Sequence, residues 1–104
     1  MPEFPGGMPK LMDFIRQNIQ YPEAAKRSKL EGRVIMQVVI DKDGTVTQPR
    51  ILRSVNPVLS ADVALCEEAF RIVSIMPKWK PGRQHGVNLK VRYAFPIKFE
   101  LPVN

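Results

Sequence analysis

Between Val87 and Leu101 the chain reads VNLKVRYAFPIKFEL, with an apolar residue at every second position. A period of two is the signature of a β-strand. Val87, Leu89, Val91, Tyr93, Phe95, Ile97, Phe99 and Leu101 fall on one face. Asn88, Lys90, Arg92, Ala94, Pro96, Lys98 and Glu100 fall on the other. One apolar and one polar face require a sheet that is covered on one side only, and therefore an antiparallel sheet. Pro96 narrows the choice further. Proline has no N–H to donate, so it sits at a sheet edge or a bulge and not in a central strand. A straight strand over this whole run would span about 50 Å at ~3.3 Å per residue, more than an ordinary strand. A bend or a protruding end is expected near Pro96.

The preceding segments supply what such a sheet needs. Residues 8–19 place Met8, Leu11, Met12, Ile15 and Ile19 at helical spacing, with Pro9 in the first turn. Gln20-Tyr21-Pro22 interrupts that helix, because the residue before a proline avoids the helical region. Pro22 opens a second helix, for which Gly32 is the expected stop. Residues 33–41 form a strand with Val34, Met36, Val38 and Ile40 on one face, and Ile35 and Val39 make the other face partly apolar. That strand is expected to be the most buried. Asp41-Lys42-Asp43-Gly44 is a tight turn with Gly44 at positive φ. Residues 45–54 return as a second strand, where Pro49 indicates an edge or a bulge. Ser60 is the expected N-cap of the main helix, residues 61–76. Its expected apolar stripe is Leu65, Cys66, Ala69, Phe70, Val73 and Met76, with Asp62, Glu67, Glu68, Arg71 and Ser74 opposite. Residues 78–86 read as a loop. The order helix, helix, strand, strand, helix, strand predicts an α+β fold: a small three-stranded antiparallel sheet, two main helices on one face, and a short extra N-terminal helix.

Charge and chemistry restrict function. The net charge is +6. From Pro77 to Phe99 the charged residues are Lys78, Lys80, Arg83, Lys90, Arg92 and Lys98, all basic. An anionic partner suits that distribution, and a solvated basic face is the plainer explanation. Catalysis has little to build on. Cys66 is the only cysteine and His85 the only histidine, and Cys66 is expected in the core. One of each makes no transition-metal site. The Asp41–Gly44 turn lacks the further ligands of a calcium loop. Glu67 and Glu68 are adjacent on a helix and diverge, and no glycine-rich phosphate loop occurs. Neither enzyme activity, metal nor cofactor is expected. Nucleic acid is disfavoured because Tyr93, Phe95 and Phe99 share the core parity, which leaves the basic face without stacking partners. Trp79, between Lys78 and Lys80, is expected to fold back and cap the sheet. No apolar run approaches the roughly 20 residues of a membrane helix.

The last strand then stands out as an edge that is either guarded by charge and proline or used for strand addition. The segment from Tyr21-Pro22 through Glu31-Gly32 and Val34, the Asp43-Gly44 turn before Val46, the run Trp79-Lys80-Pro81-Gly82 and the final alternating strand together resemble the TonB C-terminal domain. The resemblance covers residues 20–101. EFPGG and the helix at 8–19 resemble the lead-in of TonB-like proteins from Bacteroidetes-type bacteria. It implies a lead-in and short helix at 1–20 and the domain proper at 21–104. It implies a periplasmic domain of an inner-membrane energy transducer, driven by a proton-powered motor complex. Its expected partner is the TonB box of outer-membrane transporters, added as a strand. By the same resemblance the peptide-binding residues are Gln20, Tyr21, Pro22, Lys90, Val91, Arg92, Tyr93, Ala94, Phe95, Ile97 and Lys98. The membrane helix and proline-rich spacer of such transducers are not in this sequence, so it is read as an excised domain. The alternative is an envelope sensor or structural module whose same edge pairs with a second copy, as a homodimer, or with a neighbouring domain.

Overall fold

A computed structural model describes residues 2–101. Helices α1 (Met8–Asn18) and α2 (Glu23–Arg27) precede strands β1 (Gly32–Ile40) and β2 (Val46–Arg53). Helix α3 (Ala61–Ser74) is followed by β3 (Gly82–Gln84), β4 (Val87–Leu89) and β5 (Val91–Phe99). The main sheet has the order β2-β1-β5, with both pairings antiparallel. This is the expected α+β architecture, with β1 as the buried centre. Val34, Met36, Val38 and Ile40 are fully buried beneath the helices, together with Phe95, Ile97 and Phe99 of β5. Leu65, Ala69 and Ile72 of α3, Leu11 and Ile15 of α1, Ala25 and Phe4 complete the same core. The lead-in is thus packed: Phe4 meets Phe14 and stands edge-on to Trp79, and Glu3 and Lys80 exchange backbone hydrogen bonds of 2.9 and 2.7 Å.

Trp79 caps the end of the sheet as its sequence context predicts. It is 3% exposed and makes aromatic contacts with Tyr93 and Phe95. The β1–β2 turn receives it. Gly44 has a φ of 89°, and its carbonyl accepts the Trp79 N–H at 2.8 Å. A Cβ on Gly44 would lie 2.0 Å from the Trp79 carbonyl oxygen. Only glycine permits both the turn and this close backbone approach.

Several local expectations are corrected. Helix α2 stops at Arg27, well before Gly32. Lys29 takes the left-handed conformation with a φ of 53°. The Leu30 N–H reaches the Ala25 carbonyl at 2.9 Å, and the Lys29 N–H reaches Lys26 at 3.1 Å. This is a Schellman stop between two residues buried in the core, Ala25 and Leu30, with lysine where glycine is usual. Gly32 instead opens β1. Ser60 makes no side-chain cap and is itself helical. Asp62 instead turns inward, and its Oδ1 accepts the N–H groups of Val55 and Asn56, each at 3.0 Å. The buried stripe of α3 is rotated toward Ala61, Asp62, Leu65, Glu68, Ala69, Ile72 and Val73. Phe70 is exposed, and Cys66 and Met76 are only partly buried.

The final run also divides differently. Residues 78–86 are not all loop, because β3 and β4 form a hairpin around His85-Gly86. Both turn residues have positive φ, 54° and 79°, as a two-residue hairpin of the primed type requires. The break falls at Lys90, not at Pro96. Pro96 pairs with Ile35 in a ladder that runs without a shift from Gly32·Phe99 to Ile40·Val91. Strand β2 is the irregular one. It carries an extra residue between its pairs Gln37·Arg50 and Val39·Thr47, where Pro49 lies and Gln48 has a φ of 47°.

An unbroken ladder through a proline fixes the hydrogen-bonding parity of β5. The Asp41 N–H donates to Thr45 at 2.9 Å, so odd-numbered residues of β1 bond toward β2 and even-numbered ones toward β5. Ile35·Pro96 is therefore a non-hydrogen-bonded pair. Alternation then directs the backbone of Val91, Tyr93, Phe95, Ile97 and Phe99 to β1, and that of Arg92, Ala94, Pro96 and Lys98 to the outer edge. Proline at 94 should accordingly be tolerated, with a loss of less than about 2 kcal/mol in urea unfolding, whereas Phe95→Pro should unfold the domain. Equal effects of the two would contradict this parity. Lys29→Gly should raise stability by about 1 kcal/mol by relieving the left-handed lysine; a loss of stability would contradict the Schellman stop.

Candidate functional site

The outer edge of β5 has no strand beside it among the described residues, since the main sheet ends there. It offers the N–H groups of Arg92, Ala94 and Lys98, and the carbonyls of these three and of Pro96. The edge is interrupted once, at the missing donor of Pro96. Side chains follow the same division. Phe95 and Ile97 are buried at 1% and 0% exposure, and Tyr93 is partly buried against Trp79. Arg92, Ala94 and Lys98 are exposed, as is Lys90 in the link between β4 and β5. Of the residues expected at a peptide site, the structure thus brings Arg92, Ala94 and Lys98 to the edge. Val91, Tyr93, Phe95 and Ile97 have both backbone and side chain committed elsewhere or turned from it.

Beside the second half of this edge runs a groove of about 320 Å³. Pro96, Lys98 and Glu100 form one wall, and Met12, Ile15, Arg16 and Ile19 of α1 with Tyr21 form the other. The alternation of β5 marks the first wall in the sequence. The α1 wall was not legible, because nothing in the sequence says which way α1 runs past the sheet. Lys98 Nζ lies 2.8 Å from Glu100, and that lysine holds the Glu100 carboxyl below its usual range.

The segment Gln20-Tyr21-Pro22 is held from both sides. The Tyr21 hydroxyl donates to the Leu30 carbonyl, and its ring stands edge-on to Phe99 at 5.8 Å. Burial, with a smaller contribution from the Glu31 carboxylate, pushes the Tyr21 hydroxyl above its ordinary pKa, so it remains a donor. On the other side Glu68 is 7% exposed and accepts the Gln20 N–H at 2.6 Å. The Arg71 guanidinium grips both Glu68 oxygens, at 2.6 and 2.8 Å, and reaches back to the Asn18 carbonyl at 2.5 Å. Glu68 raises the Arg71 pKa, chiefly through these hydrogen bonds, so the guanidinium stays charged. Gln20 and Pro22 also border a hollow on α3 with Ala64 and Glu67. Tyr21 lines both this hollow and the β5 groove, so residues 20–22 form the partition between them. Sequence reading placed Glu68 and Arg71 on a solvent face. Their role depends on a partner 48 residues away, which no local pattern encodes.

The remaining reactive groups are quiet. The Cys66 thiol is pushed up by burial and then by the neighbouring Asp62 carboxylate, to which it donates over 3.8 Å. A thiol so held stays protonated and is a poor nucleophile. Among the described residues no group of three or more His, Cys, Asp and Glu side chains could hold a metal, and no helix is long and apolar enough to cross a membrane.

Comparisons with known proteins bear on the fold and on the family. Solution structures of the Helicobacter pylori TonB C-terminal domain are similar in fold. Residues 194–285 of that protein are 23% identical, cover 91% of this chain and 94% of that one, and superpose with a TM-score of 0.57. The longer form, residues 179–285, is also 23% identical, covers 91% of this chain and 80% of that one, and has a TM-score of 0.60. No curated protein matches the chain. The family described as Gram-negative bacterial TonB protein C-terminal matches residues 17–101, so the chain belongs to the TonB C-terminal domain family.

Proposed function

We propose that this chain is the periplasmic C-terminal domain of a TonB-like energy transducer. It binds the TonB box of outer-membrane transporters as a strand added to β5. Through an inner-membrane anchor and its motor complex, the pull on that strand couples proton motive force to uptake. The observation that carries this reading is the free outer edge of β5, supported by membership of the family. Strand addition gains its affinity from main-chain bonds and its specificity from pockets for alternate side chains. Here Arg92, Ala94 and Lys98 supply the bonds, and Val91, Tyr93, Phe95 and Ile97 keep the strand in place from beneath. The groove between Pro96 and α1 takes one apolar side chain of the peptide. Tyr21 walls that groove, with Gln20 and Pro22 behind it. Lys90 and Arg92 favour an acidic peptide and speed its approach.

Titration of TonB-box peptides from the same organism's transporters should give saturable micromolar binding; no binding at high micromolar peptide and low salt would refute the reading. Ala94→Pro, which keeps the β1 ladder but removes one outward donor, should weaken the peptide about three- to tenfold, and unchanged affinity would place the peptide elsewhere. Arg92→Glu should slow association with an acidic peptide and leave the unfolding midpoint unchanged. An unaltered association rate would remove the electrostatic part of the proposal.

A further inference from the structure

The face of the sheet turned away from the helices carries a second feature, which extends from the outward side chains of β5 across β1 to β2. Register places residues from all three strands in rows across this face. Arg33 stands opposite Lys98, Arg53 and Pro96 flank Ile35, Arg50 and Ala94 flank Gln37, and Thr47 and Arg92 flank Val39. Arg33, Arg50, Arg53, Arg92 and Lys98 are all exposed. They come from three separate strands, and the bulges of β2 are what bring Arg50 and Arg53 onto the same face. At ~4.8 Å between strands and ~3.3 Å per residue, they share an area of about 20 by 10 Å.

Half of the ten carboxylates lie on the helices, and of the rest Glu31 and Glu100 stand at the Arg33·Lys98 end of the sheet. Asp13 lies on α1, Glu23 on α2, and Asp62, Glu67 and Glu68 on α3. Among the described residues, Arg33, Arg50, Arg53 and Arg92 make no salt bridge, and only Lys98 is paired, with Glu100. The molecule therefore has a sheet face of largely unpaired cations, whereas the acidic and basic residues of the three helices balance. Such an asymmetry orients a protein over an anionic surface before contact.

We propose that this open sheet face docks on an anionic phospholipid surface. The face is a pleated plane and not a cleft, which suits a planar array of phosphates better than a single phosphate group. Its centre is aliphatic, with Ile35, Ala94 and Pro96, while Val39 beside them is buried. It has none of the aromatic anchors on which a protein partner would depend. Phe95, Phe99 and Trp79 are buried on the opposite side of the sheet. A single-stranded nucleic acid would find no stacking platform here. Arginine suits such a surface because it joins an aliphatic stem to a guanidinium that pairs with phosphate oxygens.

Vesicle co-sedimentation of the whole chain tests this, with phosphatidylcholine vesicles containing or lacking phosphatidylglycerol. Binding should require phosphatidylglycerol and fade as salt rises from about 0.05 M to about 0.5 M. Arg50→Gln and Arg53→Gln, on β2 and remote from the β5 edge, should each reduce partitioning about fivefold while leaving peptide affinity and unfolding unchanged. Equal binding to neutral vesicles, no binding to anionic ones, or full binding by the combined Arg50→Gln and Arg53→Gln variant would overturn the proposal. So would tighter binding to a single-stranded oligonucleotide than to anionic vesicles at the same salt. Loss of peptide binding alone would refute the TonB-box reading and leave this one standing.

Discussion

The unshifted pairing of β5 with β1 is the interaction on which the other features depend. It aligns Phe95, Ile97 and Phe99 with Met36, Val34 and Gly32, and so sets the floor on which the helices pack. Burial of each large side chain in that floor stabilises the fold by about 1.5–3 kcal/mol. The same pairing, threaded through Pro96, admits only one hydrogen-bonding parity. A one-residue slip would expose the aromatic row and set the proline against β1, where a donor is required. Core packing and the chemistry of the free edge are thus fixed by a single register.

The helices complete the site by bracing it. Glu68 and Arg71 tie the end of α1 to α3, and Tyr21 ties the following segment to Phe99 and Leu30. These bonds replace hydration for a carboxylate that is otherwise almost fully buried, which makes the clamp expensive to break from one side only. The groove beside β5 therefore has two walls of different origin, a strand edge and a held helix. The sheet's other face is left to its arginines.

Much of this was legible in the sequence, and the failures have physical causes. Strict alternation gave the inward row of β5 and the outward charges, because a half-buried strand has no other solution. Trp79 and Gly44 were each anticipated separately, but their backbone contact was not, since it joins elements far apart in the chain. The hairpin at His85-Gly86 was hidden because Val87, Leu89 and Val91 keep the same parity across the break at Lys90. The early end of α2 was hidden because a left-handed lysine leaves no compositional trace, while Gly32 was a plausible decoy. The stripe of α3 was misplaced because Asp62 and Glu68 are buried by long-range hydrogen bonds that polarity alone cannot foretell. The gathering of Arg33, Arg50 and Arg53 with Arg92 follows from a register set by two irregularities of β2, of which only Pro49 gave notice.

Residue-resolved amide hydrogen exchange on the free and peptide-bound protein tests the central claim most directly. In the free protein the amides of Val91, Tyr93, Phe95 and Ile97 should be protected, and those of Arg92, Ala94 and Lys98 should exchange quickly. Added TonB-box peptide should slow the second group selectively. Protection of Arg92 and Ala94 in the free protein, or no change in them at saturating peptide, would contradict the account.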